Sequence, residues 1–339
     1  MKLIHDIQIE NGFYVQENSG NWYNNADNVV ICCHGFAGSK SSSSTMTLAE
    51  HLSSKYKHTI VLSFDWPCHG KDVSEELTLE RCDAYLTKVI EYARKCSPQA
   101  KLYANGTSFG GYLLLKYISD HGNPFTKIAL RSTAVTMHDV LVNTIMSSDD
   151  RKAIANGESV KTGFEVKIPV TASFVDSLIV ADIRKNDYRN FQSDILMIHG
   201  TDDEIVPYSA AVDFTENQGI TLHTVIGADH RFSEQNHKEN AITHMCEFFD
   251  LKEPSVERDK ALQAQYDTFI ENEHKQGKEP FDFEKFAKNY LHDRGSCQSL
   301  SSNESPYVIA QYKEEYYDHP EILTVVDFAN YLDEMDSYS

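Results

Sequence analysis

Six short apolar runs punctuate the first two thirds of the chain. They are Val29-Val30-Ile31-Cys32-Cys33, Thr59-Ile60-Val61-Leu62-Ser63-Phe64, Lys101-Leu102-Tyr103-Ala104-Asn105, Lys127-Ile128-Ala129-Leu130, Ile195-Leu196-Met197-Ile198 and Leu222-His223-Thr224-Val225-Ile226. Each is followed by a polar or glycine-containing turn and then by a helical pattern. Their apolar positions are continuous rather than alternating, which is the pattern of strands covered on both faces in a parallel sheet. The order strand, helix, strand therefore predicts a doubly wound, mostly parallel α/β fold. In such sheets ligands bind beyond the carboxyl ends of the strands, so the residues just after each run are where chemistry is expected.

Two stretches break the alternation. About sixty residues between Ser132 and Ser193 hold no clear strand of the sheet but carry apolar clusters such as Phe174-Val175 and Leu178-Ile179-Val180; a lid insertion is expected over about 133–192. Beyond Leu251 the segment Glu253-Pro254-Ser255 reads as a linker. Helical patterns follow at Leu262, Tyr266, Phe269 and Ile270, and again at Phe283, Phe286, Ala287, Tyr290 and Leu291. At about 150 residues per domain, 339 residues fit one full-sized domain, 1–251, and a mainly helical C-terminal extension, 252–339.

Charge sharpens that division. The chain carries a net charge of −20, and residues 251–339 hold 19 Asp/Glu against 9 Lys/Arg, half of the excess on about a quarter of the length. So acidic a surface argues against nucleic acid or anionic membranes as partners, which attract basic patches. Solubility is the plainer reading of the charge, and the acidic extension is read as a dimerisation element that holds a second copy of the chain, a lid over the pocket, or a tether to a protein partner. No apolar run approaches the ~18 residues of a membrane span, and the start, Met1 to Asp6, lacks the apolar core of a secretory signal, so the cytoplasm is the expected location. Seven cysteines without a CxxC pair suggest neither zinc nor a redox motif; Cys32 and Cys33 are expected as small core residues.

Four loops after strands carry the candidate chemistry. Gly106-Thr107-Ser108-Phe109-Gly110 follows the run 101–105 and opens the helical segment Tyr112-Leu113-Leu114-Leu115. A G-x-S-x-G turn lifts its serine out of the sheet at a helix N-terminus, with the amide of Phe109 aimed at a developing oxyanion. His34-Gly35-Phe36 follows the run 29–33 and can supply a second donor, the Phe36 amide. His199-Gly200-Thr201-Asp202-Asp203-Glu204 offers three neighbouring carboxylates; Asp203 is the expected triad acid and Asp202 the alternative. Gly227-Ala228-Asp229-His230-Arg231-Phe232 places His230 as the base, and the chain order Ser108, Asp203, His230 is the one this arrangement uses.

Taken with Asp65-x-Pro67-x-His69-Gly70 and Val206-Pro207, these motifs make residues 28–250 resemble the α/β-hydrolase superfamily, and in particular small bacterial cinnamoyl/feruloyl-esterase-like acyl hydrolases. The resemblance implies Ser108 as nucleophile, Asp203 and His230 as acid and base, the Phe36 and Phe109 amides as oxyanion hole, a structural role for the Asp65–Gly70 loop and His69, and no cofactor or metal. Thr107 and Cys68 depart from common residues of the group, and the resemblance stops at 251.

The implied activity is serine-dependent hydrolysis of a carboxylic ester through an acyl-enzyme, on a small-molecule acyl substrate of feruloyl-like or short-chain type. The rivals are a serine aminopeptidase or acyl-peptide hydrolase, a thioesterase, and a binding module on a hydrolase scaffold. The roughly 28 residues before the first apolar run leave no room for a propeller domain.

Overall fold

The computed structural model describes residues 4–10, 13–18, 26–56, 59–72, 74–251 and 266–280. The chain divides into two units, Met1–Glu50 with His58–Leu251, and His51–Lys57 with Lys252–Ser339.

All six apolar runs are strands of the first unit's sheet: β3 (Asn28–Cys33), β4 (Thr59–Phe64), β5 (Lys101–Thr107), β6 (Lys127–Arg131), β9 (Ile195–Gly200) and β10 (Thr221–Val225). They pair in parallel in the order β4-β3-β5-β6-β9-β10. A hairpin of β1 (Ile4–Glu10) and β2 (Phe13–Asn18) extends the sheet beyond β4, with β2 antiparallel to it. The sheet thus has eight described strands.

Burial follows position in the sheet. Strand β4 is buried at every residue and β3 at all but its first, whereas β10, at the edge, is buried only at Val225. The expectation of a buried strand over 222–226 therefore fails at its end, where Ile226 is 83% exposed. Cys32 and Cys33 are buried and unpaired, as expected of core residues.

The crossovers are helical, with α1 (Ser43–Lys55), α2 (Leu79–Cys96), α3 (Phe109–His121) and α7 (Tyr208–Gln218), and α8 (Gln235–Phe249) follows β10. The 133–192 segment lies between the paired strands β6 and β9. It contains α4 (Met137–Asp139), a π-helical turn, α5 (Ser148–Ala155), the two-stranded hairpin β7 (Val160–Thr162) and β8 (Ile168–Val170), and α6 (Ala172–Val180). Phe174 and Leu178 belong to its packed interior, 2% and 1% exposed, and Phe174 meets Phe109 edge to face.

In the second unit, residues 266–275 are helical, covering the pattern at Tyr266, Phe269 and Ile270. The pattern at 283–291 lies outside the described residues.

Candidate active site

Ser108 sits between the end of β5 and the start of α3 with φ 53° and ψ −114°, a backbone conformation costing a non-glycine residue about 1–3 kcal/mol. Its surroundings leave no slack. Its amide donates to the Arg131 carbonyl at 3.0 Å, and its carbonyl accepts from Tyr112 and Ala134. The glycines of the motif are required by close backbone approach: a Cβ on Gly110 would lie 2.2 Å from the Cys33 carbonyl oxygen, and one on Gly106 would lie 2.8 Å from the Gly111 Cα. The serine is 8% exposed and lines a cavity of about 490 Å³.

His230 lines the same cavity. Its Nδ1 lies 3.0 and 2.9 Å from the two carboxylate oxygens of Asp203, which fixes the ring and leaves Nε2 as the nitrogen free for proton transfer. The three neighbouring carboxylates have separate tasks. Asp203 is buried on the imidazole, Glu204 accepts from the His230 amide at 3.2 Å, and the exposed Asp202 accepts from the Thr201 hydroxyl. Asp203 also accepts from the amides of Ile205 and Val206 at 3.0 and 2.7 Å, and His199 Nε2 lies 3.1 Å from its Oδ2. Burial works to raise the Asp203 pKa, but the hydrogen bonds from His199 and His230 and the charge of His230 outweigh it. The carboxyl is held well below the usual carboxylate range.

The His34–Gly38 loop passes against the serine, since a Cβ on Gly35 would stand 3.2 Å from the Ser108 Cβ. A turn closed by Gly38 N–H on the Gly35 carbonyl has Phe36 and Ala37 at its centre, so that bond does not use the Phe36 amide. The Phe109 amide, first in α3, has no partner within the helix by construction. His34 shapes this loop from inside: Nδ1–H donates to the Gly35 carbonyl and Nε2 accepts from the Trp66 amide, while the Trp66 indole donates to the His34 carbonyl.

The Asp65–Gly70 loop is structural. Asp65 accepts from the amides of Lys40 and Lys71, and Gly70, at φ 55°, has the Asp65 carboxylate where a side chain would begin. His69 is fully buried, with Nδ1–H donating to the Pro67 carbonyl. Burial, against the pull of those carbonyl bonds, lowers the pKa of His34 to about 4 and that of His69 to about 3.

Three side chains that touch the Asp203 and His230 loops were not read from the sequence. His199 is the second imidazole on Asp203; its place in the loop motif was the available signal. Ser132, at φ 49°, donates its hydroxyl to the His230 carbonyl at 3.1 Å, and Arg131 reaches the Arg231 carbonyl at 3.5 Å. The two together tie the backbone of the histidine loop to the end of β6. Among the described residues no group of three or more His, Cys, Asp or Glu side chains is placed to hold a metal, and no helix is long and apolar enough to cross a membrane.

Known proteins show the same architecture. Residues 28–157 match the family described as alpha/beta hydrolase fold, and the sheet, of eight described strands with the second antiparallel, runs on beyond that match to β10. The first unit is an α/β-hydrolase fold. Est1E from Butyrivibrio proteoclasticus, solved with ferulic acid bound, superposes on this hydrolase fold with a TM-score of 0.57 at 19% identity, over 73% of this chain and 99% of that one. Mouse alpha/beta hydrolase domain-containing protein 10 gives 0.53 at 13% identity, over 73% and 98%. In sequence, the medium-chain fatty acid ethyl ester synthase/esterase 2 of Saccharomyces cerevisiae is 26% identical over 123 residues, which is 36% of this chain and 27% of that protein's length. Residues 250–339, past the hydrolase fold, match a different family, described as AvrRxo1 antitoxin.

Proposed function

We propose that the hydrolase-fold unit is a serine esterase with Ser108 as nucleophile, His230 as general base and Asp203 as the carboxylate that orients it. The observation that carries this reading is the Asp203–His230 pair opening onto the cavity that the strained Ser108 lines. His230 Nε2 takes the hydroxyl proton as Ser108 Oγ bonds to the acyl carbon, and the amides of Phe36 and Phe109 hold the oxyanion. Collapse breaks the ester C–O bond, and the alcohol leaves with the proton from His230. Water, deprotonated by the same nitrogen, then releases the acid and restores the serine. Asp203, kept ionised by its donors, stabilises the imidazolium in both halves. The acyl group is of short-chain or hydroxycinnamoyl type, the latter in keeping with the likeness to Est1E.

A fluorophosphonate probe tests the nucleophile. It should label the protein at Ser108, and Ser108→Ala should lose both labelling and turnover of a p-nitrophenyl ester, by on the order of 10⁶-fold. A folded protein that never labels would overturn the serine reading and favour a binding module. Faster turnover of thioesters or aminoacyl amides would move the activity to a thioesterase or aminopeptidase.

The match of residues 250–339 to an antitoxin family favours a second task for the extension: holding a protein partner, a toxin of the kind that family name implies. Co-expression with AvrRxo1 tests it. The full chain should relieve the toxin's effect on growth, and a chain ending at Leu251 should not; equal relief by both would remove the extension from that role.

A further inference from the structure

The wall of the Ser108 cavity reverses the charge balance of the protein. The chain has 51 Asp and Glu to 31 Lys and Arg. Among the described residues that line this cavity the Lys, Arg, Asp and Glu side chains are Arg131, Arg231 and Lys238 against the single carboxylate Glu165. Glu165 approaches Arg231, at 3.8 Å. Neither Arg131 nor Lys238 has a carboxylate within 4 Å among the described residues.

Arg131 stands out among these. Its guanidinium carries five N–H donors, of which one reaches the Arg231 carbonyl at 3.5 Å, while its Cζ lies over the Phe232 ring, 5.1 Å from the centroid. The carboxylates whose fields reach it, Asp229 and Asp203, are committed elsewhere: Asp229 accepts from the Ser233 amide and Asp203 holds His230. A sheltered cation with unused donors is costly unless a counter-charge arrives.

Two further features lie on the same wall. Lys238 sits in the first turn of α8, and the start of α1 contributes Ser43 and Ser44 with no acidic residue in its first turn, so its positive dipole end is uncompensated there. At the rim the turn between β7 and β8 presents Phe164 and Val166, 47% and 50% exposed, an apolar edge beside the basic wall.

Resting on the esterase reading, we infer that the preferred substrate is an ester carrying a second, anionic group, a carboxylate or phosphate, held by Lys238 and Arg131. Electrostatic attraction into a concave basic site raises both encounter rate and binding, and in a chain of net charge −20 it also selects where anions go.

The test compares mono-p-nitrophenyl glutarate with the neutral p-nitrophenyl pentanoate. The wild-type protein should show at least a tenfold higher kcat/KM for the anionic ester, shrinking as salt is raised. Lys238→Gln should cut that preference to a few-fold, and Arg131→Gln further, while Lys152→Gln, an exposed residue away from the cavity, should leave it intact. Equal turnover of the two esters, or preference for the neutral one, overturns the inference. If neither ester is turned over, the esterase reading falls, and the basic wall is tested by thermal shift. Inorganic phosphate raising the Tm of the wild type but not of Lys238→Gln supports the anion site; no shift in either overturns it too. Competition by phosphate against that by glutarate reads which anion the wall prefers.

Discussion

The carbonyl oxygen of Ala228 stands where a side chain on Gly200 would begin: a Cβ there would lie 2.1 Å away. That oxygen accepts from the Asp202 amide at 3.1 Å, so the loop holding Asp203 and the loop holding His230 are pressed together at one point with no atom to spare. Gly200 has no positive φ, and alanine is barred by contact alone. Gly200→Ala should therefore push the 227–230 loop outward and lengthen the Asp203–His230 bond. A misplacement of about 1 Å costs on the order of 100-fold in rate. The expected result is a kcat loss of that size with KM nearly unchanged; a fully active Gly200→Ala would show that the two loops adjust independently.

Asp203 has two imidazoles, and only one faces the cavity. His199 is completely buried and also lies 3.1 Å from the Val206 carbonyl, so its Nε2–H is shared between that oxygen and Asp203. Its role is positioning. His199→Phe removes a donor to a charged group, worth about 1.5–3 kcal/mol. The rate of fluorophosphonate labelling should fall roughly ten- to a hundredfold, with the loss in kcat rather than KM. His199→Gln, which keeps an N–H donor, should recover part of it. A residue that merely filled space would not be rescued by glutamine.

What the sequence shows and hides here follows from which signals are local. Strands β3 to β6 are legible because burial on both faces makes them continuously apolar. Strands β1 and β2 are not, since they form an edge hairpin in which Asp6-Ile7-Gln8-Ile9-Glu10 alternates polar and apolar residues and leaves no unbroken apolar run. Ser108 and His230 are legible through the glycines and strand ends around them. The contact of Ser132 with the His230 carbonyl spans 98 residues and rests on β6, β9 and β10 lying side by side, which leaves no trace in either segment alone. The choice of Asp203 over Asp202 turns on which of two adjacent side chains points inward, a fact of loop geometry.

The strain at Ser108 offers a measure of what the elbow costs. Ser108→Ala and Ser108→Gly both remove the hydroxyl, but only glycine relaxes at φ 53° and ψ −114°. Set against glycine's greater unfolded-state entropy, relief of about 1–3 kcal/mol should leave the glycine variant about 1 kcal/mol more stable than the alanine variant in urea denaturation. Equal stabilities would mean that the turn carries no such strain.

The two buried histidines of the His34–Gly38 and Asp65–Gly70 loops set how the fold responds to acid. In the folded protein His34 titrates at about 4 and His69 at about 3. In the unfolded chain both titrate near 6.5. Between pH 6.5 and 4 the unfolded chain binds more protons than the folded one, so stability rises with pH across this window and is fully present above it. As pH falls from 6.5 towards 4, His34 alone should withdraw about 3 kcal/mol, a shift of some 2.5 pKa units at 1.36 kcal/mol each. His69 adds to the loss over a window reaching lower. Asp203, held below the usual carboxylate range, contributes stability above pH about 4 that is lost only at more acid pH, and so does not account for a loss near pH 5. Urea midpoints measured from pH 7.5 down to 4.5 should fall steeply through this range. In His34→Gln the glutamine does not titrate, so even a less stable variant should show a flatter dependence; an unchanged slope would place the proton uptake elsewhere.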